Sequence, residues 1–193
     1  MSVFYKVLPI KGKGLGCIAI KDIKKGTLIL QEKPECKSNP EAENGSQEEF
    51  QSVIESFHRM SDENKEKFMG LYDRYESINV EDDLPDWDFG NMALLKIYQI
   101  FKSNSFEMGV GIQASRFNHS CSSNAEAFWN DENETREVRA VSKIKVGEEI
   151  TVNYIWKQLS MKNVQLRHSI TKSEVWEYLI LGASSCKRTT FFV

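Results

Sequence analysis

Two short polar segments hold most of the side chains in this sequence that are suited to chemistry. Residues 116–121 read Arg-Phe-Asn-His-Ser-Cys, and residues 147–154 read Gly-Glu-Glu-Ile-Thr-Val-Asn-Tyr. Each follows a short hydrophobic or β-prone run, which predicts a strand beside each segment. A site assembled from strand ends requires polar clusters of this kind. We therefore take the two segments as the candidate site.

One chemistry that these residue types allow is nucleophilic catalysis by a thiol. Cys121 is a nucleophile and His119 a base by residue type, but the two are only two positions apart. Because such partners are usually brought together from distant segments, this spacing gives the pair little support. Glu148 and Glu149 are interpreted as solvated turn charges rather than as an acid and base pair.

Two further candidates have ordinary structural explanations. Tyr154 ends a predicted strand, where tyrosine is common, and His119 is compatible with a buried imidazole whose hydrogen bonds are satisfied. Each of these residues, taken alone, favours the structural explanation.

A glycine-rich turn at residues 11–16 separates two β-prone runs, residues 3–8 and 17–20. Glycine reaches backbone angles that other residues avoid and lets a ligand approach the main chain, so this turn is suited to holding a cofactor. A simple hairpin turn explains the same pattern. A phosphate-binding loop is excluded because no helix-forming segment follows the glycines.

Two distant segments share one pattern, Ala-apolar-x-x-Ile-Lys-x-Gly-x-x-Ile. We call residues 19–29 the first matching segment and residues 140–150 the second matching segment. The pattern predicts two similar strand-turn-strand units, each with a glycine opening the returning strand. It is too short to indicate a repeat architecture.

The region between these segments is predicted to contain helices and a hairpin. Apolar residues recur at helical spacing in residues 47–60, and Ser61 is a suitable N-cap for a helix that continues through Tyr72. Residues 87–101 are apolar nearly all round, which is typical of a buried helix. Residues 125–129 and 135–141 flank a polar turn and are predicted to form a β-hairpin.

Composition narrows the class of protein. The 193 residues are 40% hydrophobic and carry a net charge of -3, which favours one globular body and argues against a general nucleic-acid or membrane binder. No apolar run is long enough to span a bilayer, and the first residues lack the apolar core of a signal peptide. We therefore expect an intracellular protein, in the nucleus or the cytoplasm. The four scattered cysteines indicate neither a disulfide scaffold nor a self-contained zinc site.

Three segments together resemble the SET-domain protein lysine methyltransferases. They are Gly12-Lys13-Gly14-Leu15-Gly16 with Ile23-Lys24-Lys25-Gly26, residues 116–125, and residues 147–154. The helical insertion and Asn104-Ser105-Phe106 are most similar to the branch that includes the SET-and-MYND proteins, although no MYND finger is visible. The resemblance implies a mainly β fold with inserted helices (α+β), built from several small β-sheets with a C-terminal pseudoknot. It also implies a SET domain at 1–156 with a helical insertion at about 41–101, followed by a divergent segment at 157–193.

The same resemblance implies a site and a reaction. Tyr154 would be the catalytic tyrosine, and S-adenosylmethionine would be the cofactor. Its binding residues would be Lys13, Gly14, Leu15, Asn104, Arg116, Phe117, Asn118 and His119. The partner would be a protein or peptide that bears a lysine, possible targets including histones. Methyl transfer requires alignment of two ligands and a dehydrated amine, and it needs no metal.

The chain departs from the resemblance after Tyr154. Members of this branch often close the substrate channel with a cysteine-rich segment that binds zinc, whereas Cys186 is the only cysteine here after Cys121. We therefore predict no structural zinc. Two functions remain open on the sequence alone: an active protein lysine methyltransferase, or a SET-like binding or regulatory module that needs a partner to complete its lid.

Overall fold

The structure is a computed structural model, and it describes residues 3–73, 91–106 and 109–154. The predicted segment 157–193 and the first residues of the predicted helix 87–101 lie outside these ranges. Within them, the helices are α1 (Gln47–Arg59), α2 (Asp62–Met69) and α3 (Met92–Asn104). The strands are β1 (Tyr5–Ile10), β2 (Gly14–Ala19), β3 (Leu28–Glu32), β4 (Ala125–Asn130), β5 (Thr135–Ala140) and β6 (Glu149–Ile150). Small sheets with inserted helices match the predicted fold class.

The first sheet has the strand order β1-β2-β6 and is antiparallel. The glycine-rich turn joins β1 to β2, and Lys13 N donates to Ile10 O at 3.0 Å within it. Gly12 and Gly14 have φ values of 75° and 71°, a left-handed conformation that favours glycine. The predicted strand-turn-strand is therefore confirmed, with β1 shifted by two residues and β2 beginning three residues and ending one residue before its predicted bounds.

The second sheet has the strand order β3-β5-β4. Strands β4 and β5 occupy the two runs that were predicted as a hairpin, and a polar turn connects them. This prediction is confirmed. It could be made from one sequence because alternation and turn residues are local signals.

The two matching segments pair with each other. Ile23 N donates to Ile144 O at 2.8 Å, and Ile144 N donates to Ile23 O at 2.9 Å. Gly26 N donates to Ala140 O, and Gly147 N donates to Ala19 O, both at 2.8 Å. Corresponding residues therefore exchange corresponding hydrogen bonds, as in a local two-fold arrangement. The shared pattern is explained by this mutual pairing.

Helices α1 and α2 begin at serine N-caps. Ser46 Oγ accepts from Glu49 N at 3.1 Å, and Ser61 Oγ accepts from Asn64 N at 3.2 Å. A serine oxygen at this position satisfies a backbone N–H that lacks a partner within the helix. The predicted end of α2 at Tyr72 was wrong, because the helix ends at Met69 and Gly70 caps it. Glycine has a low helix propensity and commonly terminates helices.

Helix α3 differs from its prediction at both ends. It begins at Met92 after the N-cap Asn91 and ends at Asn104 rather than Phe101. Its C-terminal half is buried, but Met92 in the first turn is 79% exposed. The prediction of a helix buried all round was therefore wrong for the first turn.

The described residues divide into two units. The first unit contains 3–30, 116–128 and 137–154, and the second contains 31–73, 91–106, 109–115 and 129–136. The second unit has a hydrophobic cluster of buried residues from all three helices. In that unit Tyr98 donates to the buried Glu49 at 2.6 Å, which anchors α3 to α1. Among the residues that the structure describes, no helix is both long and apolar enough to cross a bilayer.

Candidate functional site

The two polar segments lie side by side in the first unit. His119 and Val152 form a parallel bridge, in which Val152 N donates to Asn118 O and Ser120 N donates to Val152 O, both at 3.0 Å. Asn124 adds a second connection, since its side chain donates to Glu149 O and accepts from Thr151 N. The backbone therefore brings residues 116–121 and 147–154 together, as a site made from both segments requires.

Tyr154 is held at both its backbone and its hydroxyl. Its backbone N–H donates to His119 Nδ1 at 3.0 Å, and its hydroxyl donates to Phe117 O at 2.6 Å. Burial raises the pKa of the Tyr154 phenol, with smaller contributions from Cys17 and Glu149. The hydroxyl therefore stays protonated, and its oxygen keeps lone pairs that can accept a hydrogen bond.

His119 acts as a connector in this arrangement. Because Nδ1 accepts the Tyr154 amide proton, the neutral ring carries its own proton on Nε2. Nε2 lies 3.3 Å from the sulfur of Cys121. A protonated Nε2 has no lone pair with which to act as a base. Burial, and then Lys13, lower the pKa of His119, so the neutral form is favoured at neutral pH. The geometry therefore gives the thiol and base interpretation no support.

Asn118 has a fixed amide orientation and an oxygen that lacks a donor among the described residues. Its Nδ2 donates to Leu15 O at 3.2 Å and to Glu149 Oε1 at 2.8 Å. Both partners are acceptors, so the nitrogen must face them and Oδ1 must face the other way. The side chain is buried, and Oδ1 has no hydrogen-bond donor among the described residues. A buried acceptor of this kind is suited to a donor from a ligand.

Glu149 is a functional candidate that the sequence interpretation missed. Its Oε2 lies 2.8 Å from Lys13 Nζ, its Oε1 accepts from Asn118, and its side chain is only 19% exposed. The prediction of a solvated turn charge was therefore wrong for Glu149. It holds for Glu148, which is exposed and accepts from Lys145 N within the turn.

Strand β2 approaches Asn118 closely at Gly16. A Cβ atom on Gly16 would lie 2.7 Å from Asn118 Nδ2 and 2.7 Å from Ile10 Cγ1. Both distances are shorter than van der Waals contact, so any other residue would displace the amide. Gly16 is thus required for the close packing of β2 against the predicted site.

Arg116 and Phe117 contact the site through their backbone carbonyls, and Phe117 also packs through its ring. The Phe117 ring is fully buried and meets Tyr5 edge to face, with 5.1 Å between ring centroids. Arg116 O accepts from the thiol of Cys17 at 3.4 Å. Burial raises the pKa of Cys17 to about 12, so this thiol stays neutral. The Phe117 ring is therefore core, and its carbonyl is the group that reaches Tyr154.

Asn104 lies in the second unit, at the last residue of α3. Its amide nitrogen donates to Tyr72 O at 2.7 Å and to Ile100 O at 2.8 Å. These bonds give it a structural role at the end of the helix. Its predicted part in cofactor binding stays a prediction, and these contacts do not add to it.

The remaining predicted residues form one arrangement in the first unit. Lys13, Leu15, Asn118, His119 and Tyr154 are linked by the hydrogen bonds described above, and Gly14 begins β2 beside them. Within the described residues, the arrangement offers an acceptor without a donor at Asn118 and a neutral hydroxyl at Tyr154. It can bind a ligand that carries N–H donors.

Comparisons with known proteins identify the family of this chain. The family model described as SET domain matches residues 14–155. The histone-lysine N-methyltransferase set5 of Schizosaccharomyces pombe is 31% identical over 156 residues, covering 78% of this chain and 42% of the relative. The SET domain-containing protein L678 of Acanthamoeba polyphaga mimivirus is 30% identical over 174 residues, covering 76% of this chain and 65% of the relative.

Solved structures are similar as well. The SET domain of LSMT bound to lysine and AdoHcy matches with a TM-score of 0.48 and 18% identity, covering 79% of this chain and 49% of that one. The chain spans less than half of the length of its S. pombe relative and of this solved structure.

Proposed function

The chain belongs to the SET domain family, and on this premise we propose that it transfers a methyl group from S-adenosylmethionine to a lysine side chain of a protein substrate. The observation that carries the proposal is the buried Oδ1 of Asn118, which lacks a donor among the described residues. The α-ammonium group of S-adenosylmethionine is a donor of the required kind. A ligand without a donor would leave this buried oxygen unsatisfied, at a cost of about 1–3 kcal/mol.

The cofactor site is proposed to combine two parts of the first unit. The backbone of Lys13, Gly14 and Leu15 lines one side, and residues 116–119 line the other. Leu15 O and Asn118 are already joined by a hydrogen bond of 3.2 Å, which supports assigning both parts to one site. When bound, the cofactor supplies a methyl group activated by its attachment to a positively charged sulfur.

Tyr154 is proposed as the catalytic residue. Its hydroxyl donates to Phe117 O, so the oxygen can accept a hydrogen bond from the lysine amine and orient the nitrogen lone pair. A buried environment disfavours the ammonium form of lysine and makes the neutral nucleophile available. In the transfer, a nitrogen–carbon bond forms as the carbon–sulfur bond breaks. S-adenosylhomocysteine leaves, and the proton that the lysine gave up goes to solvent.

Cofactor binding is tested by calorimetry on the wild type and Asn118→Ala. We expect the wild type to bind S-adenosylmethionine and Asn118→Ala to bind about tenfold more weakly or worse, because the variant removes the unsatisfied acceptor. Glu148→Gln, in the adjacent exposed turn, is the control and should bind as the wild type does. A wild type that does not bind the cofactor would contradict the proposal.

Turnover is tested with Tyr154→Phe. Because it removes only the hydroxyl, we expect methylation to fall roughly 100-fold while cofactor affinity stays within about threefold. Tyr5→Phe removes a hydroxyl from the ring that packs on Phe117 and serves as the matched control. Unchanged turnover in Tyr154→Phe would remove Tyr154 from the mechanism. Cofactor binding without methylation of any protein by the wild type would favour a binding or regulatory module.

Substrate and boundaries are parts of the same proposal. The S. pombe relative is named a histone-lysine N-methyltransferase, so histones are the first substrates to test, and we propose that the protein acts in the nucleus or the cytoplasm.

We propose a domain at 1–156 with an insertion at about 41–101, followed by a separate segment at 157–193. The end of the family match at residue 155 supports the C-terminal boundary.

A further inference from the structure

We propose that Glu149 is a positioning residue, which fixes the Asn118 amide so that its oxygen faces the cofactor. The inference rests on the proposed function. Glu149 joins two predicted cofactor residues, since one carboxylate oxygen lies 2.8 Å from Lys13 Nζ and the other 2.8 Å from Asn118 Nδ2. It lies outside the set of residues that the family resemblance assigned to the cofactor.

The Glu149 carboxylate holds its two neighbours through acceptor oxygens alone. Its two oxygens only accept hydrogen bonds, and here each oxygen has a donor on a different residue. The Asn118 nitrogen is therefore held by two acceptors, Glu149 Oε1 and Leu15 O. If the amide turned over, its oxygen would face both acceptors. The orientation that leaves Oδ1 for a ligand is thus set by Glu149 and Leu15 together.

Substitution by glutamine separates this role from simple packing. Glutamine has nearly the same shape, but it has one acceptor oxygen and one donor nitrogen in place of two acceptors. Its oxygen can serve either Lys13 or Asn118. Serving Lys13 turns the glutamine nitrogen toward Asn118 Nδ2, donor against donor, and favours the reversed amide. We therefore expect Glu149→Gln to weaken cofactor binding although the fold is kept.

Lys13 provides a way to restore the arrangement. In Lys13→Met the ammonium group is gone, so the glutamine oxygen of the double variant is free to accept from Asn118. The second substitution should then have little additional effect. A purely structural loss at Glu149 would not be reversed by a change at Lys13, so the double variant distinguishes positioning from general damage.

The first measurement is S-adenosylmethionine affinity by calorimetry. We expect Glu149→Gln to bind about tenfold more weakly than the wild type, and Glu148→Gln to stay within about twofold. The Lys13→Met/Glu149→Gln variant should bind within about threefold of Lys13→Met alone. Wild-type affinity in Glu149→Gln would overturn the inference while the proposed function stands. So would an equal loss of affinity from Glu149→Gln in the wild type and in Lys13→Met.

The second measurement reads the amide directly in the protein without cofactor. The side-chain NH₂ signals of Asn118, assigned by their loss in Asn118→Ala, should shift in Glu149→Gln and return toward their Lys13→Met positions in the double variant. Glu148→Gln should leave them unchanged. Unshifted signals in Glu149→Gln would overturn the inference even if cofactor affinity fell. A wild type that binds no S-adenosylmethionine would instead overturn the proposed function, and the inference with it.

Discussion

The two matching segments form the same turn, yet only one of them supports the candidate site. Gly26 and Gly147 occupy the same pattern position and have φ values of 84° and 85°. Two residues later, the first segment has Leu28 and the second has Glu149, and both side chains are half-buried. In the second segment that position binds Lys13 and Asn118. The pattern residues thus determine the backbone, while one position between them is available for function.

The largest expected effects come from the isoleucines that pair across the two segments. Ile23 and Ile144 are 1% and 0% exposed, so truncation to alanine should lower the free energy of unfolding by about 3 kcal/mol in each case. Urea unfolding of Ile23→Ala and Ile144→Ala measures this directly. Because the two positions are equivalent, the losses should agree within about 1.5 kcal/mol, allowing for the usual spread among such sites.

The exposed lysines that follow these isoleucines provide matched controls. Lys24→Ala and Lys145→Ala should each change the free energy of unfolding by less than about 0.5 kcal/mol, since neither side chain is buried. A large loss at only one isoleucine would contradict this prediction. It would show that the two turns are packed differently at their most buried position.

The next effect in size concerns the two turn glycines. No atom lies within 4 Å of a Cβ placed on Gly26 or Gly147, so substitution by alanine adds backbone strain without a clash. A left-handed conformation costs an alanine about 1 kcal/mol or slightly more, and the two losses should be nearly equal. Thermal unfolding of Gly26→Ala and Gly147→Ala measures them. Asparagine, which tolerates this conformation better, should be milder at both positions, and an alanine variant as stable as the wild type would contradict the assignment of strain.

The turns, the hairpin and the starts of α1 and α2 could be predicted because their signals are local. The glycines, the alternation around residues 125–141 and the N-cap Ser61 each act over a few residues. The meeting of residues 116–121 with 147–154 came from the resemblance, which combines segments that no local rule connects. The ends of α2 and α3 were misplaced because apolar spacing continued past Gly70 in one case and stopped before Asn104 in the other.

Glu149 could not be recognised from its own neighbourhood. In the sequence it stands beside Glu148 in a charged turn, and the two residues look alike. What separates them is the register of β6 on β2, which pairs Glu149 with Ile18, and the arrival of Asn118 from a distant segment. One signal was present nonetheless, since the shared pattern aligns Glu149 with the apolar Leu28. An apolar residue in the equivalent position indicates that the position of Glu149 is partly buried.

The smallest expected effects are on the pH dependence of stability. They have opposite signs for the chain segments that follow the two turns. The second matching segment continues to Tyr154, whose amide donates to His119, and the pKa of His119 is lowered by burial and by Lys13. Below pH 6.5, the ordinary pKa of histidine, His119 takes up a proton more readily in the unfolded chain than in the folded protein. Acid therefore lowers the stability of the folded protein. The first continues through β3 to Glu32, whose pKa is raised by burial despite hydrogen bonds from Gln113 and Ala114. As the pH rises, Glu32 loses its proton at a lower pH in the unfolded chain than in the folded protein. Stability therefore falls as the pH rises above 4.5.

Two variants isolate these contributions from those of other titrating groups. Asparagine in His119→Asn keeps an acceptor for the Tyr154 amide, and glutamine in Glu32→Gln keeps the size of the side chain. We expect the stability of the wild type relative to His119→Asn to fall as the pH is lowered from 7.5 to 5.5. Relative to Glu32→Gln it should fall as the pH is raised from 4.5. Urea unfolding across this range measures both differences, each expected to be smaller than the effect of a glycine substitution. Equal slopes of the same sign would show that the two strands do not differ electrostatically, because only opposite shifts in pKa give opposite slopes.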